Sequence, residues 1–260
     1  MRRMQILQMP ALVTVSFLVA IYTSLGQSNC PRQSIVDRWP SLVIAHAVEP
    51  LEWRVANARQ YIDEFGPGCI PTLVEMLSGT ESNVQVKTGA AYTVGLLGIV
   101  YDASAAVQPL IDLIESYEGK ALEQDARSCV YYAHLSLGRI GTAHARNFLF
   151  ARAKADYWTT RQGFWRRSLG PEKLPPKVCA QGAAIQAIGF IGDDEAEQFL
   201  RSTLGSAEFS SPNAFRGADN REGDLRHGLN LALEISARER AFKHYIRSGE
   251  TVRSETQRAQ

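Results

Sequence analysis

The sequence has no excess of basic residues, because 28 lysines and arginines stand against 27 aspartates and glutamates in 260 residues. That balance argues against nucleic acid as a partner, since a clear basic excess marks proteins that bind phosphate backbones. The chain also lacks the HExxH, GxSxG and P-loop signatures, and its cysteines and histidines lack zinc-finger spacing. We therefore predict no catalytic residue, no metal and no cofactor.

Long apolar runs are scarce, and the one uncharged run of about fifteen residues lies near the N-terminus, at 11–25. Arg2 and Arg3 precede it, and small residues follow it. This pattern is typical of a secretory signal peptide, which we assign to 1–26. An uncleaved membrane anchor is the alternative, but a spanning helix needs roughly 20 apolar residues. We expect an exported protein, periplasmic or extracellular, with no membrane span after signal removal.

Strand-like alternation is rare, and the sequence instead contains one helix written three times. The three copies end in a GxxG pattern, at Gly95–Gly98, Gly138–Gly141 and Gly189–Gly192. Counted back from the last glycine, each copy has an apolar residue at four, a small residue at five and an alanine at eight positions: Val94, Leu137 and Ile188; Thr93, Ser136 and Ala187; Ala90, Ala133 and Ala184. A fainter copy ends at Gly66, and a degenerate fifth copy covers 225–235.

The two glycines of each copy predict two different features. The last glycine suits the left-handed backbone conformation that commonly ends a helix. The inner glycine is unusual within a helix, where it costs about 1 kcal/mol relative to alanine. We therefore expect the inner glycine to permit close packing against a neighbouring helix.

An amphipathic helix follows each copy, and it forms a pair with the next copy along the chain. The terminal glycines lie 32, 43 and 51 residues apart, and the excess falls into insertions at 115–125, 154–178 and 205–223. These insertions lie between the two helices of a pair. In a stack of helix pairs, such connections collect along one edge, which is often the binding face.

The segment Val86–Gly98, VKTGAAYTVGLLG, resembles the second helix of a HEAT-like repeat, and Gln186–Asp193 matches the same pattern. The type is the short repeat shared with phycobilisome-lyase-like proteins, and the resemblance covers about residues 50–246. It implies an all-α fold, a right-handed α–α superhelix (a HEAT/armadillo-like solenoid) of about four to five helix pairs, and usually protein binding. Around it we assign a capping segment, 27–49, and a polar, disordered tail, 247–260.

The chain has four cysteines: Cys30, Cys69, Cys129 and Cys179. In an oxidising compartment they permit two disulfides, with three possible connectivities. Cys129 and Cys179 occupy nearly the same column of successive repeat helices and form one candidate pair. Cys30 with Cys69 is another, and free buried thiols are the third possibility.

The insertion at 154–178 is the segment most typical of a binding surface. It carries two of the four tryptophans beside three arginines, and these residue types dominate binding hot spots. The predicted binding residues are Trp158, Arg161, Phe164, Trp165, Arg166 and Arg167. The alternative is that these aromatic side chains cover the core and the arginines are its solvated flank.

Together these features predict an exported HEAT-like repeat protein that acts as a protein–protein interaction or scaffold module, with a protein partner that the sequence does not identify. Two alternatives stay open. The first is a lyase-like enzyme with a site in the concave groove, which the resemblance implies. The second is a structural subunit of an envelope assembly, which is compatible with export. An enzyme would gather histidine or carboxylate side chains with shifted pKa values in a pocket.

We expect signal peptidase to cleave after Gly26, which leaves Gln27 as the new N-terminus. Intact-mass measurement of the exported protein tests this prediction. A mass that still contains residues 1–26 contradicts it and favours the membrane anchor.

Overall fold

The computed structural model describes residues 30–48, 50–80, 83–118, 124–154, 176–206 and 221–252. Over these ranges the chain is all-helical and has no β-strand, so the predicted fold class is confirmed at that level. The described α-helices are α1 (Arg32–Val48), α2 (Leu51–Phe65), α3 (Ile70–Ser78), α4 (Val84–Leu97), α5 (Val107–Ser116), α6 (Gln124–Ile140), α7 (Ala143–Ala153), α8 (Pro176–Gly189), α9 (Asp194–Leu204) and α10 (Arg221–Ser248). The predicted signal peptide lies outside the described residues.

The helices pack in two layers. A central layer contains α4, α6, α8 and α10, each beside the next, and a cover layer contains α3, α5, α7 and α9. Each cover helix packs against the central helix that follows it in the chain. Helix α1, within the segment predicted to cap the repeats, packs against α4, where Trp39 lies close to Gly89.

The inner glycines are the points of closest approach in the central layer. A Cβ atom at Gly95 would lie 2.8 Å from Ser136 Cα, and one at Gly189 would lie 2.5 Å from the carbonyl oxygen of Ala232. A Cβ atom at Gly138 would collide with the carbonyl group of Ala187. The prediction that these glycines permit close packing is confirmed, because no larger side chain fits between the helices.

The last glycines divide into two kinds. Gly66, Gly141 and Gly192 have φ angles of 58°, 63° and 71°, in the left-handed region, as predicted. Gly98 has a φ of −64°, so the prediction is wrong there. A Cβ atom at Gly98 would lie 2.7 Å from Ile140 Cγ1, which makes this glycine a packing requirement and not a conformational one.

The central helices run parallel. Gly95 meets Ser136 and Gly98 meets Ile140, so the contacts follow the same order along α4 and α6. Gly189 meets Ala232 and Gly192 meets Arg240, so α8 and α10 follow the same order. The C-terminal ends of α6 and α8 also lie side by side, because Lys243 binds the carbonyl oxygens of both Arg139 and Ile191. The central helices therefore all begin at one end of the layer, the N-terminal edge, and α4, α6 and α8 end at the opposite end, the C-terminal edge. Helix ends at the N-terminal edge flank the three predicted insertions.

Helix α10, of 28 residues, continues past the central layer to the N-terminal part of the chain. Near its end, Arg54 of α2 lies over the Phe242 ring at 5.3 Å, and Arg59 donates to the carbonyl oxygen of Glu250 at 2.7 Å. The helix runs to Ser248, so the tail assigned from residue 247 begins too early, and 253–260 lie outside the described residues. Helix α2 and the segment around the end of α10 are thus in direct contact.

Cys30 and Cys69 form a disulfide with a Cα–Cα distance of 5.1 Å, which ties the start of α1 to the turn before α3. Cys129 is a free, buried thiol and not a partner of Cys179. The physical reason is its direction, since Cys129 on α6 interacts with Thr88 on α4, away from α8. The side chain of Cys179 lies outside the description.

Among the described residues, no helix is both long enough and apolar enough to cross a membrane.

We expect Gly138→Ala to lower the free energy of unfolding by about 1–3 kcal/mol, because its methyl group collides with the main chain of α8. Gly182→Ala is the matched control, since a Cβ atom there meets nothing within 4 Å. The control should raise stability by about 0.5–1 kcal/mol, as a helical alanine does relative to glycine. Urea denaturation of both variants tests the assigned helix register, and equal effects would contradict it.

Candidate functional site

The C-terminal edge presents helix ends whose last carbonyl groups have no partner within their own helix. Three basic residues of α10 cross this edge at spacings of three and four, which places them on one face. Arg247 donates from Nε to the carbonyl oxygen of Ile99 at 2.9 Å, just after α4. Arg240 donates from Nε to the carbonyl oxygen of Gly192 at 3.1 Å, after α8.

Lys243 lies between these two arginines and joins two helix ends at once. Its Nζ donates to the carbonyl oxygens of Arg139 and Ile191, both at 3.1 Å. The side chain is 6% exposed. A single buried ammonium group therefore links α10 to the ends of α6 and α8.

A buried ion pair, Arg139–Glu239, lies beside this junction and stabilises it. Arg139 Nε donates to Glu239 Oε1 at 2.9 Å, and the two side chains are 2% and 1% exposed. The guanidinium also lies over the rings of Tyr92, Phe190 and Phe242, at 5.3 to 5.7 Å. Burial lowers the pKa of Arg139, but Glu239 and Tyr92 outweigh burial and leave the pKa raised.

Arg146 and Arg240 have carboxylate partners at the start of α9. Arg146 pairs with Asp193 and Glu195, and Arg240 with Asp194 and Glu197. Asp193 also accepts from the backbone N–H of Ala196 at 3.0 Å and thereby caps the N-terminus of α9. Burial raises the pKa of Asp193. Arg146 and this backbone bond lower it by a larger amount, so the pKa lies below its ordinary value.

These elements enclose a cavity of about 540 Å³ at the C-terminal edge. Its apolar walls include Ile140 and Ile191. Its titratable lining is six basic residues against one carboxylate: Arg139, Arg146, Arg240, Lys243, His244 and Arg247 against Asp193. The cavity is therefore suited to an anionic ligand.

Two of these cations lie beyond ion-pair distance of every described carboxylate. Among the described residues, no carboxylate oxygen lies within 4.0 Å of Lys243 or Arg247, although Glu239 contributes at longer range. Burial, then Arg139 and Arg247, lower the pKa of Lys243 from 10.5 to about 8. Glu239 and Asp193 oppose this shift. Like charges four residues apart on a helix repel each other.

The sequence predicted a site at a different place. Its six binding residues, 158–167, lie outside the described residues. The described positions that flank them, Lys154 and Pro176, lie at the N-terminal edge. The 14 residues of α8 separate that edge from the cavity by about 20 Å, at 1.5 Å per residue. The described residues that flank the predicted insertion therefore lie at the opposite edge of the layer from the cavity.

The cationic cavity was missed at the sequence level, although one signal for it exists. Basic residues at 240, 243 and 247 share one face of the helix that contains the fifth, degenerate repeat. What the sequence does not reveal is that this helix crosses the other helix ends. Among the described residues, no cluster of histidine, cysteine or carboxylate side chains is arranged to hold a metal ion.

We expect Lys243 to contribute a rise in stability with pH between about 8 and 10, so that Lys243→Met shows a smaller rise than the parent. In this window the unfolded chain still binds the lysine proton and the folded chain has released it, so a higher pH favours folding. Each unit of pKa difference corresponds to about 1.4 kcal/mol. Urea denaturation across the window tests this, with Lys154→Met, at an exposed position, as the control. An unchanged rise in Lys243→Met would contradict the assignment.

No protein-family model matches the chain, and no curated protein is similar to it in sequence.

Proposed function

We propose that this chain is an exported, HEAT-like repeat protein that binds a protein partner and acts as an interaction or scaffold module. The observation that carries the proposal is the parallel central layer, because it brings the ends of all the long connections to one edge. Repeat proteins commonly bind through such an edge. The proposed ligand is an acidic protein segment, since arginine pairs carboxylates bidentately.

The finer architecture is part of the proposal. The four pairs α3–α4, α5–α6, α7–α8 and α9–α10 would be repeats of a right-handed superhelix. Its support is that one contact recurs three times, an inner glycine against a small residue of the next central helix. A repeated unit predicts such recurrence, whereas an irregular helical bundle does not.

Export is supported by the Cys30–Cys69 disulfide together with the signal-like N-terminus. Disulfides persist in oxidising compartments and are rare in the cytosol. Periplasmic and extracellular locations fit equally well.

The base of the predicted binding insertion is held by buried contacts, which supports a binding role for it. Arg152, near the end of α7, is fully buried, pairs with Glu118 and lies 4.6 Å from the centre of the Phe148 ring. Gln181 of α8 donates to the carbonyl oxygen of Ala153 at 3.0 Å. A fixed base lowers the entropy that an aromatic anchor loses when it binds.

A lyase-like enzyme is the second candidate, and one observation favours it. The cavity at the C-terminal edge contains an amine, Lys243, whose pKa of about 8 lies near neutrality. Against it, this amine already donates to two carbonyl oxygens, and Asp193 is held by Arg146 and an N-cap bond. The binding role requires no free acid or base and is the better supported of the two.

We expect Trp165→Ala/Arg166→Ala to reduce partner capture at least tenfold, while the helical circular dichroism and the melting temperature stay unchanged. Affinity capture from the envelope extract of the producing cells measures the loss. Trp53→Ala/Arg32→Ala is the matched control, because these side chains are 62% and 60% exposed elsewhere on the surface.

Unfolding of the Trp165→Ala/Arg166→Ala variant would mean that the insertion covers core, which contradicts the binding role. A folded variant that still captures every partner would also contradict it.

A further inference from the structure

The cationic cavity has more hydrogen-bond donors than the protein uses. Lys243 donates two of its three N–H groups to carbonyl oxygens, and within the described part of the chain Arg247 donates only from Nε. Arg139, which also lines the cavity, has a buried Nη1 with no hydrogen-bond partner. A buried donor without a partner costs about 1–3 kcal/mol, and Arg139 Nη1 is such a donor. Arg247 is exposed, so its remaining N–H groups can be reached by a ligand.

A basic residue that caps a helix end at this edge does not have to lack a carboxylate partner. Arg240 caps α8 and has carboxylate partners, so a compensated cap is possible at this edge. Lys243 and Arg247 lack such partners among the described residues, lie one turn apart and repel each other. An anion between them would remove the repulsion and accept the remaining donors.

The walls of the cavity indicate the kind of anion. About 540 Å³ falls within the range of pockets that enclose whole small ligands, and it exceeds the needs of a single inorganic ion. Ile140 and Ile191 add apolar surface beside the cations. A cationic end next to an apolar wall matches the last residue of a peptide chain, whose carboxylate and side chain leave the same carbon atom.

We propose that this cavity binds the C-terminal carboxylate of a peptide or protein partner, with Lys243 and Arg247 on the carboxylate and Ile140 and Ile191 against an apolar terminal side chain. The proposal rests on the proposed function, partner binding, and adds a second contact at the opposite edge. Inorganic phosphate has no apolar group to contact Ile140 and Ile191, which distinguishes it from a peptide terminus with an apolar side chain.

The test uses the whole secreted chain and the probe acetyl-Ala-Leu with a free carboxylate, compared with its C-terminal amide and with inorganic phosphate. Calorimetric titration at pH 7 and constant ionic strength measures the affinities. We expect the free acid to bind at least tenfold more tightly than the amide or phosphate. Equal binding of the amide, tighter binding of phosphate, or no binding of the acid would overturn the proposal.

Arg247→Met is the decisive variant, because Arg247 is exposed and the variant should fold. It should weaken binding of the free acid at least tenfold and leave the amide unaffected. Arg201→Met, on an exposed arginine 66% accessible and outside the cavity, should change neither. An unchanged affinity in Arg247→Met would overturn the proposal even if Lys243→Met fails to fold.

The two binding proposals fail independently. Trp165→Ala/Arg166→Ala should bind acetyl-Ala-Leu normally, since its substitutions are assigned to the other edge. If that variant loses partner capture and the parent does not bind the peptide, only the proposal for the cavity is overturned. If the parent binds the peptide and that variant captures its partners unchanged, only the proposal for the insertion is overturned.

Discussion

The structure depends on how three parallel helices satisfy the carbonyl groups at their ends. Parallel packing, made close by the inner glycines, brings these partial negative charges together at one edge. Cations of α10 cross that edge and donate to each helix end in turn. The same contact therefore closes the fold and creates the cationic cavity, so stability and the candidate site share one set of side chains.

Local pattern predicted the repeated unit, because small residues and glycines at fixed spacing record how closely neighbouring helices pack. The spacing from Gly95 to Gly98, and its two later copies, was sufficient for the helices and their contacts. It was insufficient for the backbone of Gly98, where packing against Ile140 decides and local sequence does not. The spacing of small residues and glycines specifies each helix and its contact with the next helix, but it does not specify contacts between distant parts of the chain.

The missed features all involve residues that are distant in sequence. Arg139 and Glu239 are 100 positions apart, and Arg59 meets the chain 191 positions later, at Glu250. Composition carried no trace of the cavity either, because its basic residues are balanced by carboxylates elsewhere. Only the path of α10 determines that Arg240 has acidic partners and that Lys243 and Arg247 have none within ion-pair distance among the described residues.

The crossing of α10 also limits how this chain can evolve in length. In an open array of repeats, a duplicated pair adds one more interface and leaves the others intact. Here a duplicated pair would add a helix end that no cation of α10 reaches, and it would separate α10 from α2. The length of α10 therefore matches the number of helix ends that it crosses, and the number of helix pairs can change only if that helix changes with it.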